Sequence, residues 1–350
     1  MIRIKSKQVA EALGVSEATV SLVLNQKPGV NAETRKRVLE YIEVLGKNGQ
    51  DTGSSEETNK GCILMLYYIK HGIIMQSGGQ NVNPAFFEKI RSAVSKEGYE
   101  FLYREYREQE ESLEDLFRQC SSNQVRGIYI MAAEMKESDI FPFQQLKIPV
   151  VVGDNLFYEQ GMDSFLVDNR EGIRRGVDYL VDRGHSHIVY LAENVDIFNF
   201  IERREAFVLE MARRQCGDSA NRIRHLGNTI DEVSDKMSRY LSEGLHRTTA
   251  FVLESSVISL GVSKALLERN IRVPREVSLV GFDAVPELSI PGINLTMIKG
   301  THTKRHIAAV MHLLRHLKGN GEEDEMVRVY YRTRMIEGGS VFDKTKYIYE

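Results

Sequence analysis

At 350 residues the chain is long enough to bury the cores of two or three domains. Its 42% apolar and 27% charged residues are ordinary for a water-soluble globular protein, and a net charge of −3 excludes a polyanion binder along the whole length. No apolar run approaches the roughly 18 residues of a membrane span, and the polar start is unlike a signal peptide, so a cytoplasmic location is expected.

The first stretch, Lys5 to Leu45, reads as three short helices. Val9, Ala10 and Leu13 form one apolar face at helical spacing. After Gly14, which tolerates a left-handed turn, Ser16 can cap a second helix with Val20, Val23 and Leu24 inward. Pro28 and Gly29 break the chain, and Asn31 caps a third helix that buries Val38, Leu39, Ile42 and Leu45. Two helices joined by a short turn containing Gly form a helix-turn-helix, whose second helix enters the DNA major groove. Ser16, Thr19, Ser21 and Asn25 supply short hydrogen-bonding side chains there. Thr34 and Arg35 open the third helix, where N–H groups favour an anion. Met1–Lys47 holds eight Lys/Arg and five Glu, a net +3, which is a modest footprint for phosphates; a dimer would double it. A small packing module with polar caps is the alternative reading of the same spacing.

Gly46 to Lys60 (GKNGQDTGSSEETNK) has no apolar residue and reads as a flexible linker. From Gly61 strands and helices alternate. The first series is strand Cys62–Ile69, helix Pro84–Lys96, strand Tyr99–Tyr103, helix Glu111–Cys120, strand Val125–Met131, a short helix, and strand Pro149–Asp154. The second begins at Phe165–Val167 and runs through helix Arg170–Arg183, strand Ile188–Ala192, helix Glu202–Arg214, strand Arg222–Leu226, helix Asp231–Ser242, strand Ala250–Leu253, helix Val257–Asn270 and strand Val277–Phe282. Two βαβ series imply two doubly wound parallel sheets with a cleft between them, ligands sitting at the carboxyl ends of strands. Asp154 and Asp283 end strands, and Arg203 opens a helix after another. Carboxylates and a guanidinium there can fix sugar hydroxyls; a salt bridge between lobes is the other use of the same groups. Tyr68 and Phe86 are further candidates for stacking on an effector, or core residues. Cys62, Cys120 and Cys216 are far apart without CxxC spacing, which suits buried thiols in a reducing compartment.

The order V-A-E-A-L-G-V-S-x-x-T-V-S-x-V-L-N from Val9 to Asn25, with V-x-x-E-T-R-x-x-V from Val30 to Val38, resembles the opening of the lactose-repressor/galactose-repressor (LacI/GalR) family. Phe165 to Ala192 and L-G-V-x-x-A-L-x-x-x-N-I-x-V-P-x-x-V-S-L-V-G-F-D from Leu260 to Asp283 extend the resemblance over nearly the whole chain. It implies a small all-α helix-turn-helix domain (1–47), a linker (48–60) and a two-lobed α/β periplasmic-binding-protein-like effector domain (61–342), followed by a tail (343–350). Crossovers are implied near Phe165, Asn294 and Gly321, giving an N-lobe of about 61–163 plus 295–321 and a C-lobe of about 164–294 plus 322–342. The last strand, Val327–Met335, would return to the C-lobe.

The resemblance also assigns roles. Glu17, Ala18 and Leu22 hold the usual base-reading positions; Leu22 replaces a common Arg and is read as a base contact rather than core, where Val20, Val23 and Leu24 already sit. The linker lacks the apolar wedge that kinks an operator at the minor groove and carries Glu56 instead. Asp154, Arg203 and Asp283 match effector-binding positions. Glu254, Ser255 and Ser256 replace a frequent Asn-Asp pair, with Ser255 kept as an effector contact, and Thr229 replaces a common aromatic.

The expected function is a repressor-type transcriptional regulator. It would work as a homodimer on a pseudo-palindromic double-stranded DNA operator, with helix Val257–Asn270 in the dimer surface. A small molecule between the lobes, a sugar or sugar derivative, would control it. A solute-binding sugar receptor without a DNA role is the alternative. No P-loop, G-x-G-x-x-G after a strand, H-E-x-x-H or G-x-S-x-G is present, so neither enzymatic activity nor a cofactor is expected. His302, His306, His312 and His316 lie on one third of a helix, but with no acid or Cys beside them they read as a polar face and no metal is expected.

Overall fold

The computed structural model describes residues 15–24, 30, 31, 34, 35, 38, 60–74, 84–217, 220–283, 285, 292–319 and 326–347. The expectations for the first helix, for Asn25 and for the linker lie outside them. The chain divides into two compact units, Met1–Thr58 and Asn59–Glu350.

In the first unit, helix α1 spans Glu17–Leu24. Ser16 caps it: its Oγ accepts the Thr19 N–H at 3.1 Å and meets the Thr19 hydroxyl at 2.8 Å. Val20 and Val23 are buried, as is Val38. Asn31 Oδ1 accepts the Thr34 N–H at 2.7 Å, and residues 34, 35 and 38 are helical. That bond occupies a donor that the sequence offered to phosphate.

The second unit holds two six-stranded sheets. The first contains β1 (Cys62–Ile69), β2 (Glu100–Arg107), β3 (Val125–Met131), β4 (Val150–Gly153), β5 (Asp163–Val167) and β11 (Arg328–Tyr331), in the order β11-β5-β4-β3-β1-β2. The second contains β6 (Ile188–Ala192), β7 (Ile223–His225), β8 (Ala250–Leu253), β9 (Ser278–Phe282), β10 (Thr296–Lys299) and β12 (Arg334–Ile336), in the order β12-β10-β9-β8-β6-β7. Every pairing is parallel except β10 with β12.

Both faces of each sheet are covered, which is why the central strands are continuous apolar runs. On the first sheet, Leu116 and Cys120 of α3 (Leu113–Ser122) and Ile140 and Phe143 of α4 (Glu137–Gln144) cover one face. Phe86, Ile90 and Val94 of α2 (Pro84–Lys96) and Ala309, Val310, Leu313 and Leu314 of α9 (His302–Leu317) cover the other. On the second sheet, α5 (Asn169–Val181) and α6 (Phe198–Arg213) lie on one face, and α7 (Ile230–Ser242) and α8 (Ser256–Glu268) on the other. Helix α5 sits close because Gly172 faces the sheet: a Cβ there would lie 2.7 Å from the Phe282 ring. Cys62, Cys120 and Cys216 are free and buried.

The crossings between lobes differ from the expected places. Phe165 stays in the first sheet, paired with Gly153 and Val329, so the chain crosses two residues later, after Val167, and β5 belongs to the first lobe rather than to a second lobe starting at 164. Residues 296–299 belong to the second sheet and the crossing follows Lys299, not Asn294. The expected single strand Val327–Met335 is two strands: β11 joins the first sheet and β12 the second, so this crossing lies at Arg332–Thr333 and not near Gly321. In each case the chain finishes its strand in one sheet before changing lobe, because leaving earlier would orphan ladder N–H and C=O groups. Of the tail, Lys344–Tyr347 form a short 3₁₀ turn, with the Lys344 N–H bonded to the Arg183 carbonyl at 3.0 Å.

Candidate functional site

Segments following strands of the first sheet meet segments following strands of the second. Asp154 follows β4 and Asp283 follows β9, and both adopt left-handed backbone, with φ of 66° and 69°. That conformation is several-fold enriched in Asp and Asn, and it turns each carboxylate out of its strand. Each is gripped by an arginine. Arg305, fully buried on α9, pairs with Asp154 at 2.6 and 2.9 Å and donates to the Phe165 carbonyl at 3.1 Å. Arg203, buried on α6, donates Nη1 to Asp283 Oδ2 at 3.0 Å and to the Glu254 carbonyl at 2.7 Å, and Nε to Asn169 Oδ1 at 2.9 Å. Its guanidinium lies 3.7 Å over the Phe282 ring.

The two pairs are joined by asparagines. Asn169 donates to Asn199 Oδ1 at 2.8 Å, and Asn199 donates to the Asp154 carbonyl in the other lobe at 3.1 Å. Asp283 Oδ1 is buried without a hydrogen bond and lies 3.7 Å from His302 Nε2 at the start of α9. Although burial opposes it, Arg203 and His302 hold the Asp283 carboxyl well below the usual range, and Arg305 lowers that of Asp154. Both are therefore acceptors at neutral pH.

A second polar cluster follows β6 and β8. Glu254, fully buried, receives Arg204 Nε at 2.7 Å and Nη2 at 2.9 Å, together with the Glu193 N–H at 2.7 Å. Ser255 caps α8 by accepting the Ile258 N–H at 3.2 Å, and its hydroxyl donates to Glu193 Oε1. Glu193 Oε2 is buried with no hydrogen-bond partner, and burial first, then Glu254, push this carboxyl up to about 7. In the other lobe Glu134 accepts the N–H groups of Lys70, His71, Gly72 and Ile74 at 2.7–3.0 Å, fixing the segment after β1. Ile73 and Ile74 of that segment pack on Val195, Ile197 and Phe200 of the opposite lobe.

The structure thus brings Asp154, Arg203 and Asp283 to one seam and adds Arg305, Asn169, Asn199 and Glu193, which sequence reasoning missed. Arg305 left a signal: it is a charged residue on the buried stripe of α9. Tyr68 is a correction. It points away from Asp154 into the core beside Tyr106 and Phe143, its hydroxyl on Glu108. Its neighbour Tyr67 takes the other face; burial, then Glu105, Glu134 and Asp154, push that hydroxyl up to about 12. Phe86 is buried against His306, their ring centroids 5.6 Å apart. His306 is a core residue; burial and Arg305 hold it down to about 3, and Tyr129 meets its Nδ1 at 2.5 Å. The histidines also have an acid beside them that the sequence did not reveal: Asp163 lies against His312 and His316. In the first unit Ser16 and Thr19 serve the cap of α1, Leu22 is half-buried, and Glu17, Ala18 and Ser21 lie on the helix.

A body of two doubly wound lobes with charged residues facing across their seam, and a separate amino-terminal unit carrying a capped helix, has the organisation of a ligand-sensing regulator. Residues 6–46 match the family model for bacterial regulatory proteins of the lacI family, and residues 177–341 match that for a periplasmic binding protein-like domain. The chain belongs to the LacI/GalR family of DNA-binding transcriptional regulators. It is 27% identical over 325 residues to the HTH-type transcriptional regulator MalR of Streptomyces coelicolor, with 89% of each chain covered. Its fold resembles that of the lac repressor dimer bound to operator and an anti-inducer, with TM-score 0.66, 20% identity, and 95% of this chain and 98% of that one covered. It also resembles the transcriptional regulator CelR in complex with cellobiose, with TM-score 0.65, 20% identity, and 97% of this chain and 100% of that one covered. No described helix is long and apolar enough to cross a membrane.

Proposed function

We propose that this chain is a cytoplasmic repressor whose operator affinity is set by a sugar or sugar derivative held between the lobes, and that it is not an enzyme. Residues 1–47 read DNA, 48–60 link, and 61–342 hold the effector. The observation that carries this is the pair of facing grips, Asp154–Arg305 and Arg203–Asp283, with Asp283 Oδ1 buried without a hydrogen bond, its nearest partner His302 at 3.7 Å. A hydroxyl donating to that oxygen and accepting from Arg203 satisfies both groups, which is the pattern a vicinal diol offers. The cellobiose in the CelR relative is of that chemistry. Closure on such a ligand biases the lobe angle through the three crossings, at 168, 300–301 and 332–333, and a ligand shifts the two states only by its differential affinity.

In this reading Ser16, Glu17, Ala18, Thr19, Ser21, Leu22, Asn25 and Thr34 face operator DNA, and Tyr68 drops out of the effector set. The reading is tested by a thermal-shift screen of sugars on the full chain and by operator selection from random duplexes. Expected are one stabilising sugar class and one enriched pseudo-palindrome whose affinity that sugar changes. Enrichment of no sequence at low salt, with or without ligand, would overturn it. Thr19→Ala is expected to weaken operator binding about tenfold, as for loss of one groove contact, with the melting of residues 59–350 unchanged.

The dimer face in this reading is α8. Leu267 is exposed, Val257 and Leu260 are half-buried, and all three fall on one side of the helix beside exposed Ile230 of α7. Leu267→Asp is expected to shift the sedimentation of the chain from dimer to monomer at micromolar concentration, and to weaken operator binding in parallel.

A further inference from the structure

Asp163 heads β5, and its carboxylate meets two histidines one turn apart on α9. Oδ2 lies 2.9 Å from His312 Nε2 and 2.8 Å from His316 Nε2, and the two nitrogens are 3.0 Å apart. The other oxygen, Oδ1, accepts the Val327 N–H at 2.7 Å, which fixes the carboxylate and aims Oδ2 at the rings. His312 is held in turn by Phe165, their ring centroids 5.4 Å apart. The three ligand atoms are partly buried and form a nearly equilateral triangle.

Hydrogen bonds alone account poorly for that triangle. If both Nε2 atoms carry protons, two donors crowd one oxygen at 3.0 Å from each other. If one carries none, its lone pair faces a carboxylate. A cation removes the conflict, because all three atoms then act as Lewis bases towards one centre. Ligand atoms held roughly 2.0–2.1 Å from a cation at right angles are about 2.9 Å apart, and the spacing opens only to about 3.4 Å at the tetrahedral angle. The observed edges of 2.8–3.0 Å match the first and reach the second with small rotamer shifts.

We propose that Asp163, His312 and His316 bind one divalent cation of borderline softness, of the Zn²⁺ class, with water completing the coordination. Two imidazoles and a carboxylate select such ions over Ca²⁺ or Mg²⁺, which take oxygen ligands. The site is distinct from the lobe seam: Asp163 begins β5, whereas Val167, at the strand's other end about 13 Å away, leads into the crossing. β5 and β11 both run directly into crossings, and α9 follows the third. The cation thus ties β5 to α9 at their far ends, and the Asp163 carboxylate that it fixes also holds the Val327 N–H just ahead of β11. Its role is structural and independent of the sugar reading.

The test uses the full chain without a polyhistidine tag, stripped with chelator. Titration with Zn²⁺, followed calorimetrically, is expected to show one ion per chain and to raise the melting temperature by several degrees. Co²⁺ is expected to give a visible d–d spectrum of nitrogen–oxygen ligation. His316→Gln, at the more exposed histidine, and Asp163→Asn are expected to lower affinity by more than the roughly 10–100-fold that attaches to outer-shell partners. The chelated His316→Gln chain is expected to melt where the chelated parent does, so loss of the zinc response reports the ligand and not the fold. Absence of stoichiometric uptake by the parent overturns the proposal, and so does a zinc-induced shift of equal size in His316→Gln. Sugar and operator binding by the zinc-free chain leave the proposed function standing whichever way this test falls.

Discussion

Arg203→Ala is expected to abolish the sugar-induced thermal shift and to lower the melting temperature by about 10 °C, whereas Asp283→Ala abolishes the shift with a much smaller loss. The two partners differ in what they leave behind. Without Arg203, the Asp283 carboxylate loses the group that holds its charge, and the Glu254 carbonyl and Asn169 Oδ1 each lose a donor. Breaking a buried pair in this way costs about 3–5 kcal/mol, and each kcal/mol moves the melting of a body this size by roughly 2–4 °C. Without Asp283, Arg203 keeps Asn169, the Glu254 carbonyl and the Phe282 face, so the cost is nearer 1–3 kcal/mol. Acid sensitivity has a definite sign. The Asp283 carboxyl titrates below its ordinary value, so its contribution is complete above an ordinary carboxyl pKa and disappears as pH falls through the lowered folded value. Thermal melts between about pH 7 and pH 3 read the onset of that loss, and the Arg203→Ala chain is expected to lose less stability on acidification than the parent. A sugar shift of parental size in both variants would place the effector elsewhere.

The elements that were legible are those whose signal is local. Apolar runs bounded by turns mark Cys62–Ile69, Val125–Met131, Ile188–Ala192 and Ala250–Leu253, and these strands have those bounds. Asp154 and Asp283 were legible as strand ends. What a continuous apolar run cannot reveal is which face a side chain takes, because a strand buried on both sides has no alternation to read. For that reason the sequence offers Tyr68 to an effector although its side chain enters the core. The crossings were displaced for a related reason: Val327–Met335 has one residue pattern, but its halves pair with β5 and β10, which lie in different sheets. Arg305 was readable in principle, since it shares a helical stripe with His306, Ala309 and Leu313. Asp163 was not, because 149 residues separate it from His312 and only the sheet brings them together.

Glu193→Gln is expected to stabilise the protein strongly at pH 8 and only weakly at pH 5, the reverse of what removal of a charged residue from a paired site does. Glu193 is 1% exposed, takes one hydroxyl from Ser255, and has no hydrogen bond to its other oxygen. Burial, and then the charge of Glu254, raise its carboxyl from 4.5 to about 7. Its folded value lies above its unfolded one, so the native state binds the extra proton. Its contribution is complete below the unfolded value of 4.5 and is lost as pH rises through the folded value of about 7. Between those limits the ionised form accumulates a penalty of at most about 3 kcal/mol. Glutamine is neutral at every pH and keeps a carbonyl for Ser255, so it escapes that penalty. The charges of Arg203 and Arg204 offset only part of it in the parent, because the Nε and Nη groups of Arg204 are committed to Glu254, Asp196 and the carbonyls of Glu193 and Val195 and none reaches the Glu193 carboxylate. Melts of the parent and the variant therefore diverge little at pH 5 and far more at pH 8. Parallel pH profiles would mean that Glu193 is ionised in the native state throughout. The cluster after β6 and β8 would then be a fully charged network, rather than one acid held neutral beside an arginine–carboxylate pair.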